Sequence, residues 1–340
     1  MEPEGDPTPD GNRTRRRQSA SAGRPDARLD WGMPRFLRVL GTIALALGAR
    51  TAVLPGQTAP VTATPAPAGE PRTVGAGGVA RRYFLYLPST WHRGHPAPLV
   101  LVFHGGGGRA SGIAPHTGFS ALAEREGFVV AYPQGLNGRW NDGRGYAATH
   151  DDVGFVQALL DTLGRELAID PRRIYATGIS NGAMFAYRLA CDLAGVFAAV
   201  APVAGAMPAD LAPACSHTQP VSVLAFQGTA DPLMPYAGGG GARRRVLSAE
   251  RSITFWATAS GCTAAPVTTD EPDQITDGTR VRRTVYGACR EGRSVELYTI
   301  EGGGHTWPDG PPVGGSVGRV TREVDATPLI WAFFAQHPRP

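Results

Sequence analysis

Segments with strand-like and helix-like hydrophobic patterns alternate along the chain from about residue 78. Short apolar runs and period-two alternation predict strands, whereas apolar residues three and four positions apart predict helices. The predicted strands are 81–87, 98–103, 128–132, 173–177, 198–203, 221–226, 280–286 and 295–300. The predicted helices are 118–126, 151–168, 181–192, 248–260 and 325–336. This order predicts an α/β fold: a mostly parallel sheet with helices on both faces, in which strand 81–87 is an antiparallel edge.

The first 76 residues lack such a pattern. Residues 1–32 are polar and rich in Pro, Arg and Asp, which predicts a disordered extension. A basic segment then begins at Met33 and leads into an apolar run over 39–49, too short to span a bilayer comfortably. This order is typical of a signal peptide, which we assign to residues 33–54, with translation starting at Met33. An uncleaved membrane anchor is the alternative.

The segment that follows the leader, residues 55–76, is rich in Pro, Ala and Thr and predicts a linker. The catalytic domain is then expected to cover residues 77–340. Its composition supports a folded core, because the whole chain is 42% hydrophobic and 18% charged.

Charge argues against a nucleic-acid partner. The chain carries a formal net charge of +4, and all 33 of its basic residues are Arg. Residues 1–50 hold 9 Arg against 6 acidic residues, whereas residues 51–340 hold 24 Arg against 23. The predicted domain is therefore almost neutral, unlike the basic surfaces that bind nucleic acids.

Four cysteines lie in the predicted domain, none of them with C-x-x-C spacing. An even number in an exported chain favours two disulfides over a zinc site. Three pairings are possible, and free thiols are the alternative. We favour Cys191–Cys215 with Cys262–Cys289, because each pair brackets a single loop-rich segment.

Gly178-Ile179-Ser180-Asn181-Gly182 fits the G-x-S-x-G pattern of a nucleophile elbow. The predicted strand 173–177 runs directly into it and the predicted helix 181–192 leaves it. Such a turn strains the backbone of the serine, so its neighbours must be small. Ser180 is therefore the candidate nucleophile.

A serine hydroxyl needs a base, and in elbow-containing enzymes the acid and the histidine follow the serine along the chain. His305 lies in a glycine-rich loop after a predicted strand, unlike His217, which precedes the required acid, and His337, near the C-terminus. Asp231 follows the predicted strand 221–226 and is the candidate acid. The competing carboxylates are Asp270, Glu271, Asp273 and Asp277.

A tetrahedral intermediate needs backbone N–H donors. The run His104-Gly105-Gly106-Gly107-Gly108 follows the first buried strand, and glycine allows close backbone approach. One donor is expected from Gly105, Gly106 or Gly107, and the other from Asn181. Phosphate binding is excluded because there is no G-x-x-x-x-G-K-[ST] motif and no Lys.

Several motifs together resemble the secreted polyhydroxybutyrate-depolymerase-like esterases, a group that includes feruloyl and acetylxylan esterases. They are PLVLVFHGGGG, YPQG with WNDG, DDVGF, DPRRIYATGISNGAMFAYRLAC, QGTADPLMPY and GGGHTWPDG. The resemblance implies an α/β-hydrolase fold, a Ser180–Asp231–His305 triad, an acyl-enzyme and no metal or other cofactor. It also implies that Trp140 and Trp307 line the acyl pocket; packing in the core is the alternative.

These observations predict an exported serine esterase that needs no stable partner. Its substrate would be a short-chain, hydroxyalkanoate or plant cell-wall aromatic or acetyl ester. No polymer-binding module follows the motifs, so we expect soluble esters rather than solid polyester. The alternatives are a serine peptidase of the same fold, although no propeller or lid is visible in the sequence, and a non-catalytic exported binding protein.

Overall fold

The computed structural model describes residues 67–144, 150–215, 219–240, 245–312 and 317–340. The strands are β1 (Glu70–Ala76), β2 (Val79–Tyr86), β3 (Ala97–Phe103), β4 (Val129–Pro133), β5 (Ile169–Ile179), β6 (Ala199–Val203), β7 (Ser222–Gly228), β8 (Val267–Asp270), β9 (Arg280–Tyr286) and β10 (Val295–Glu301). The helices are α1 (Ala110–Thr117), α2 (Phe119–Glu126), α3 (Asp152–Glu166), α4 (Asn181–Asp192), α5 (Ala249–Ala259) and α6 (Ala326–Gln336). Every predicted strand and helix has a counterpart among them.

The strands form one sheet in the order β1-β2-β4-β3-β5-β6-β7-β10-β9-β8. The six central strands, β4-β3-β5-β6-β7-β10, run parallel to one another. The pair β1 and β2 is antiparallel and lies on one side of them, and the antiparallel pair β8 and β9 lies on the other side. The prediction of a mostly parallel sheet is therefore confirmed. The prediction that strand 81–87 forms an edge is wrong, because β1 pairs along the outer side of β2.

The predicted linker over residues 55–76 extends too far. Its last part, Glu70–Ala76, is strand β1, which pairs with β2 from Glu70 opposite Leu85 to Ala76 opposite Val79. Val74 and Ala76 are partly buried, so this strand contributes apolar surface despite its polar composition. The predicted extension, the signal peptide and the rest of the linker lie outside the described residues.

Helices cover both faces of the sheet, as predicted. Strand β3 is buried along its whole length, and its side chains alternate between two cores. Leu101 and Phe103 face a core that also receives residues of α3, α4 and α5. Val100 and Val102 face a second core formed with α1, α2 and α6. Continuous apolar runs such as β3 are typical of strands covered on both sides.

Both predicted disulfides are present. Cys191, near the end of α4, is bonded to Cys215, and Cys262, just after α5, is bonded to Cys289, which follows β9. The first bond closes a segment that contains β6, and the second closes one that contains β8 and β9. No described helix is both long and apolar enough to cross a membrane.

Candidate active site

The G-x-S-x-G segment forms a sharp turn from β5 into α4, as predicted. Ser180 has a φ of 58° and a ψ of −119°, a conformation that non-glycine residues rarely adopt. A Cβ atom at Gly178 would lie 2.6 Å from the carbonyl oxygen of Phe103, and one at Gly182 would lie 2.4 Å from the same atom. Both flanking positions therefore require glycine, because β3 passes directly behind the turn.

Ser180 is half-buried, and its backbone N–H donates to the carbonyl of Val203 at the end of β6. Asn181 occupies the first position of α4, where backbone N–H groups have no partner within the helix. The positive end of the helix dipole also lies here. The turn thus combines an accessible hydroxyl with an N–H donor in an environment that favours developing negative charge.

The structure brings Asp231 and His305 together although they are far apart in sequence. His305 Nδ1 lies 2.8 Å from Asp231 Oδ2, and both side chains are buried. The other carboxylate oxygen accepts backbone N–H bonds from Leu233 and Met234, each at 2.8 Å. Since Asp231 accepts at Nδ1, the histidine carries its proton there and Nε2 is left as the basic nitrogen.

Glycines on the His305 loop allow this close packing. A Cβ at Gly304 would lie 2.2 Å from the carbonyl of Val317, and one at Gly228 would lie 2.3 Å from the carbonyl of Gly303. The His305 N–H also donates to Val317 O at 2.6 Å, and Ala230 N–H donates to Gly303 O at 2.9 Å. The two loops therefore contact each other through their backbones, which fixes His305 relative to Asp231.

Ser180, Asp231 and His305 follow the carboxyl ends of β5, β7 and β10 respectively. These strands are parallel and lie close together in the sheet order β5-β6-β7-β10. The carboxyl ends of parallel strands meet at one edge of a sheet, which is where ligands bind in folds of this type. The three residues thus lie at the same edge of the sheet.

The glycine loop after β3 lies against the elbow. A Cβ at Gly105 would be 3.5 Å from Ser180 Cβ, and one at Gly106 would be 3.6 Å from Asn181 Cβ. The Gly106 N–H has no hydrogen-bond partner among the described residues. The Gly107 N–H, in contrast, donates to Gly138 O at 2.7 Å. Gly107 is therefore unsuited to the predicted donor role, since its N–H is already bonded.

His104 holds this loop in place. Its Nε2 accepts the backbone N–H of Gly135 at 3.0 Å, so the ring proton is on Nδ1, which donates to Gly105 O at 2.8 Å. Burial lowers the pKa of His104, against smaller opposing effects of the Gly105 carbonyl and Asp152. The neutral ring thus connects the glycine loop to the segment after β4.

The Asn181 side chain is fixed by a second buried network. Its Oδ1 accepts the Trp140 N–H at 2.8 Å, and its Nδ2 donates to Trp140 O and to Asp142 Oδ2, the latter at 2.7 Å. Asp142 is fully buried and forms an ion pair with Arg144 at 2.6 Å. The WNDG segment therefore orients the residue directly after Ser180.

Trp140 and Trp307 belong to the core, contrary to the pocket role implied for them. The indole of Trp140 is fully buried, stacks on Phe185 and donates to His104 O at 2.9 Å. Trp307 is also buried and donates to Thr327 Oγ1 at 3.0 Å. A cavity of about 230 Å³ touches Trp307, but Ser180, Asp231 and His305 do not line it.

The competing acids and histidines have other positions. Asp273 pairs with the exposed Arg280, and Asp277 bonds to Thr279 and Arg322. Asp270 ends the exposed strand β8, and the adjacent Glu271 follows it. His337 bonds to Phe333 O at the end of α6, and His217 lies outside the described residues. Among the carboxylates of the described chain, only Asp231 accepts a bond from the His305 ring.

Two buried polar residues of this site, His104 and Asp142, received no role from the sequence. Both stand inside motifs that were quoted for the resemblance, HGGGG and WNDG. The signal that could have found them is a polar residue within such a motif. If that residue is buried, it needs hydrogen-bond partners and can position its neighbours. The partners themselves come from distant segments.

No group of His, Cys, Asp or Glu in the described part of the chain has an arrangement that could hold a metal ion.

Comparison with known proteins identifies the family. The sequence model of the family described as "Esterase PHB depolymerase" matches residues 81–234. A putative esterase, NocK, from Nocardia uniformis subsp. tsuyamanensis is 32% identical over 75% of this chain and 80% of its own length. The chain belongs to this esterase family. It is accordingly a carboxylic ester hydrolase.

Other relatives of this esterase carry more specific names. Feruloyl esterase B of Piromyces equi is 32% identical over 68% of this chain, which spans 43% of that longer protein. The matched family segment, 81–234, contains the glycine loop, the elbow and Asp231, whereas His305 lies beyond it. The bond between His305 and Asp231 is therefore evidence, independent of the family match, that His305 lies beside a residue of the family segment.

A solved structure supports the fold. The acetyl xylan esterase from Aspergillus awamori superimposes with a TM-score of 0.57, covering 79% of this chain and 100% of that one, at 16% identity. At this identity the likeness concerns the α/β-hydrolase fold alone, which agrees with the sheet order and the helices on both faces.

Proposed function

We propose that this esterase cleaves its substrate through an acyl-enzyme on Ser180, with His305 as general base and Asp231 as the residue that orients His305. The observation that carries the proposal is the buried 2.8 Å bond between His305 Nδ1 and Asp231, at the sheet edge where Ser180 lies on a strained turn. A serine nucleophile, an oriented imidazole and a buried carboxylate are the elements of acyl transfer.

In this mechanism, Ser180 Oγ attacks the ester carbonyl while His305 Nε2 takes its proton. Asp231 stabilises the resulting imidazolium. His305 then delivers the proton to the leaving alcohol as the carbon–oxygen bond of the ester breaks. Water attacks the acyl-enzyme with His305 again as base, which releases the acid and restores Ser180.

The oxyanion is bound by the backbone N–H groups of Gly106 and Asn181, with Gly105 beside them. The lack of an internal partner for the Gly106 N–H and the position of Asn181 in the first turn of α4 support these assignments. Preorganised donors of this kind contribute a large part of catalysis, about 10²–10³-fold for each donor.

The substrates proposed are feruloyl-type or acetyl esters of plant cell-wall material, or hydroxyalkanoate esters. The names of the relatives support the first two classes, and the family description supports the third. Turnover of methyl ferulate, acetylated xylan and a hydroxybutyrate film, measured side by side, ranks them.

Export through the leader is part of the proposal. Two disulfides support it, because such bonds persist in oxidising compartments. The basic and apolar residues between Met33 and Ala49 support it from the sequence. N-terminal sequencing of the protein secreted by an expressing bacterium tests it, and retention of the full leader in the cytoplasm would contradict it.

Ser180→Ala tests the mechanism. We expect loss of about 10⁶-fold in kcat on p-nitrophenyl butyrate and no labelling by a fluorophosphonate, because no other nucleophile occupies the elbow. Ser294→Ala is the matched control, since Ser294 lies at the amino end of β10, whereas the triad lies at the carboxyl ends of the strands. Near wild-type turnover by Ser180→Ala would overturn the assignment, and an unlabelled wild type would favour a non-catalytic protein.

A further inference from the structure

A cavity of about 870 Å³ lies beside the glycine loop and is distinct from the triad. Its walls come from β1, β2, the start of α1 and the segment after β4. Gly107, Gly108 and Gly138 form the side nearest the proposed oxyanion site. The cavity therefore begins next to the position where the ester carbonyl would lie.

The charge of this cavity has one sign. Arg72, Arg82 and Arg109 line it, and no Asp or Glu is among its lining residues. Arg72 has an ion-pair partner, since it lies 3.1 Å from Glu166 outside the cavity. Arg82 and Arg109 are exposed, and their side chains have no partner among the described residues.

A fourth cation lies closer to the chemistry. Nη1 of Arg139 is 3.6 Å from the position of a Cβ built on Gly106. Arg139 is exposed and likewise forms no side-chain bond within the described residues. Asn181 Cβ is 3.6 Å from the same position, so the guanidinium group of Arg139 and Asn181 both adjoin Gly106.

An ordinary solvated surface places acids beside its bases, especially in a domain whose charges nearly balance. Here two of the three arginines that line a concave surface are exposed and have no side-chain partner in the described chain, and that surface adjoins the glycine loop. Guanidinium groups bind carboxylates through paired N–H bonds, and a concave surface lined by one sign of charge concentrates the opposite sign. The remaining lining includes Phe84 and the amides of Gln134 and Asn137, which suit a short organic substituent.

We propose that this cavity, the arginine cavity, binds a carboxylate on the ester substrate, so that the enzyme prefers carboxylate-bearing esters to neutral ones. This inference rests on the proposed function and specifies its substrate class. The carboxylate would belong either to the acyl part, as in a dicarboxylic half-ester, or to the alcohol part, as in an ester of an acidic sugar or a hydroxy acid.

Two matched substrate pairs test the inference. For the acyl side, 4-nitrophenyl hemiglutarate is compared with the corresponding glutaramate. For the alcohol side, 4-carboxyphenyl butyrate is compared with 4-carbamoylphenyl butyrate. Each pair differs by a charge and not by size. We expect the wild type to favour the carboxylate in at least one pair by about tenfold in kcat/KM at low salt, and less at high salt.

Arginine variants locate the effect. Arg82→Gln and Arg109→Gln should each lower the carboxylate-to-amide ratio about fivefold, and the double variant should lower it further. Arg251→Gln is the matched control, because Arg251 is exposed on α5, which packs on β7 and β10 in the other half of the sheet. It should leave the ratio unchanged.

Three results would overturn the inference: ratios of one or less in both pairs, ratios insensitive to salt, or ratios unchanged in the double variant. If the wild type hydrolysed all four esters but gave any of these three results, the inference would fail and the proposed function would stand. If the wild type hydrolysed none of them, the proposed function would fail instead. Binding of monomethyl glutarate against methyl glutaramate, by saturation-transfer NMR, would then decide the cavity, and equal binding would overturn it.

Discussion

The edge of the sheet that carries Ser180 and the arginine cavity beside it hold their polar groups in opposite ways. At the edge, Asp231 accepts bonds from His305 and two backbone N–H groups, and Asn181 is bonded to Trp140 and Asp142. These side chains are buried and their partners come from the protein itself. In the cavity, Arg82 and Arg109 are exposed and have no such partners within the described chain.

The difference reflects the tasks that the two regions serve in our proposals. A buried polar group without a partner costs about 1–3 kcal/mol, so internal bonds both stabilise the edge and fix its geometry before substrate arrives. An exposed guanidinium costs little to leave unpaired, because water solvates it. Catalytic groups that had to reorient during the reaction would lower its rate. Groups that recognise a substrate must instead remain free to bond to it.

Among variants that remove an internal bond, the largest effect is expected where that bond also sets a protonation state. Asp231→Asn keeps the shape of the side chain and an oxygen for the Leu233 and Met234 N–H groups, but it no longer holds the proton on His305 Nδ1. We expect kcat on p-nitrophenyl butyrate to fall by about 10⁴-fold at neutral pH, with the fold retained by circular dichroism.

Asp273→Asn is the control for Asp231→Asn. It removes the same charge from an ion pair with Arg280 whose two side chains are 74% and 50% exposed. It should change neither kcat nor stability noticeably, because exposed ion pairs contribute little. A loss of less than tenfold in Asp231→Asn would mean that the bond to His305 has no role in turnover.

A smaller effect is expected at the residue that supports Asn181. Asp142→Asn removes a fully buried charge that faces Arg144 and replaces an acceptor of the Asn181 Nδ2 bond. We expect a loss of about 3 kcal/mol in the free energy of unfolding, by urea titration, and a decrease in kcat of about tenfold. Unchanged stability with unchanged kcat would show that the network does not position Asn181.

The smallest effect concerns pH and the glycine loop. Burial holds the pKa of His104 below its ordinary value of 6.5, so the unfolded chain binds this proton more readily than the folded one. The free energy of unfolding should therefore fall as the pH decreases below about 6.5, because protonated Nε2 no longer accepts the Gly135 N–H.

Comparison with His104→Gln isolates this contribution. His116 and His337 also have pKa values lowered by burial, and they are present in both proteins. Between pH 7 and pH 5 the wild type should lose stability more steeply than the variant, by at most about 1.4 kcal/mol per pH unit. Parallel curves would show that His104 does not link the loop to pH.

Local sequence was a good guide wherever one chain segment decides the structure. The alternation of apolar and polar positions predicted the strands and helices that form the two cores. The elbow was predictable because the strained turn, the flanking glycines and the following helix are consecutive residues. The local pattern missed β8, which is exposed along its length and so has no alternation to detect. It also missed α1, a short helix that contains Pro115.

Tertiary contacts decided the questions on which the sequence left alternatives. Trp140 stacks on Phe185 and donates a hydrogen bond to the backbone of His104. These partners lie 45 and 36 positions away in sequence, and they place Trp140 in the core rather than in a substrate pocket. Gly107 differs from Gly106 as a donor because its N–H is bonded to the Gly138 carbonyl. Neither fact has a signature in the local pattern.

The sequence by itself determined the sheet of parallel strands, the elbow at Ser180 and the candidate histidine. Such features depend on hydrophobic periodicity and on glycine next to a strained residue, which are properties of short segments. Only the tertiary structure decided which of the three cysteine pairings forms, and that Asp231, rather than Asp273 or Asp277, bonds to His305. It also decided that exposed arginines without a side-chain partner in the described chain come together beside the glycine loop from three segments. Hydrogen bonding and charge clustering act through distance in space, and chain folding brings together groups that the order of residues keeps apart.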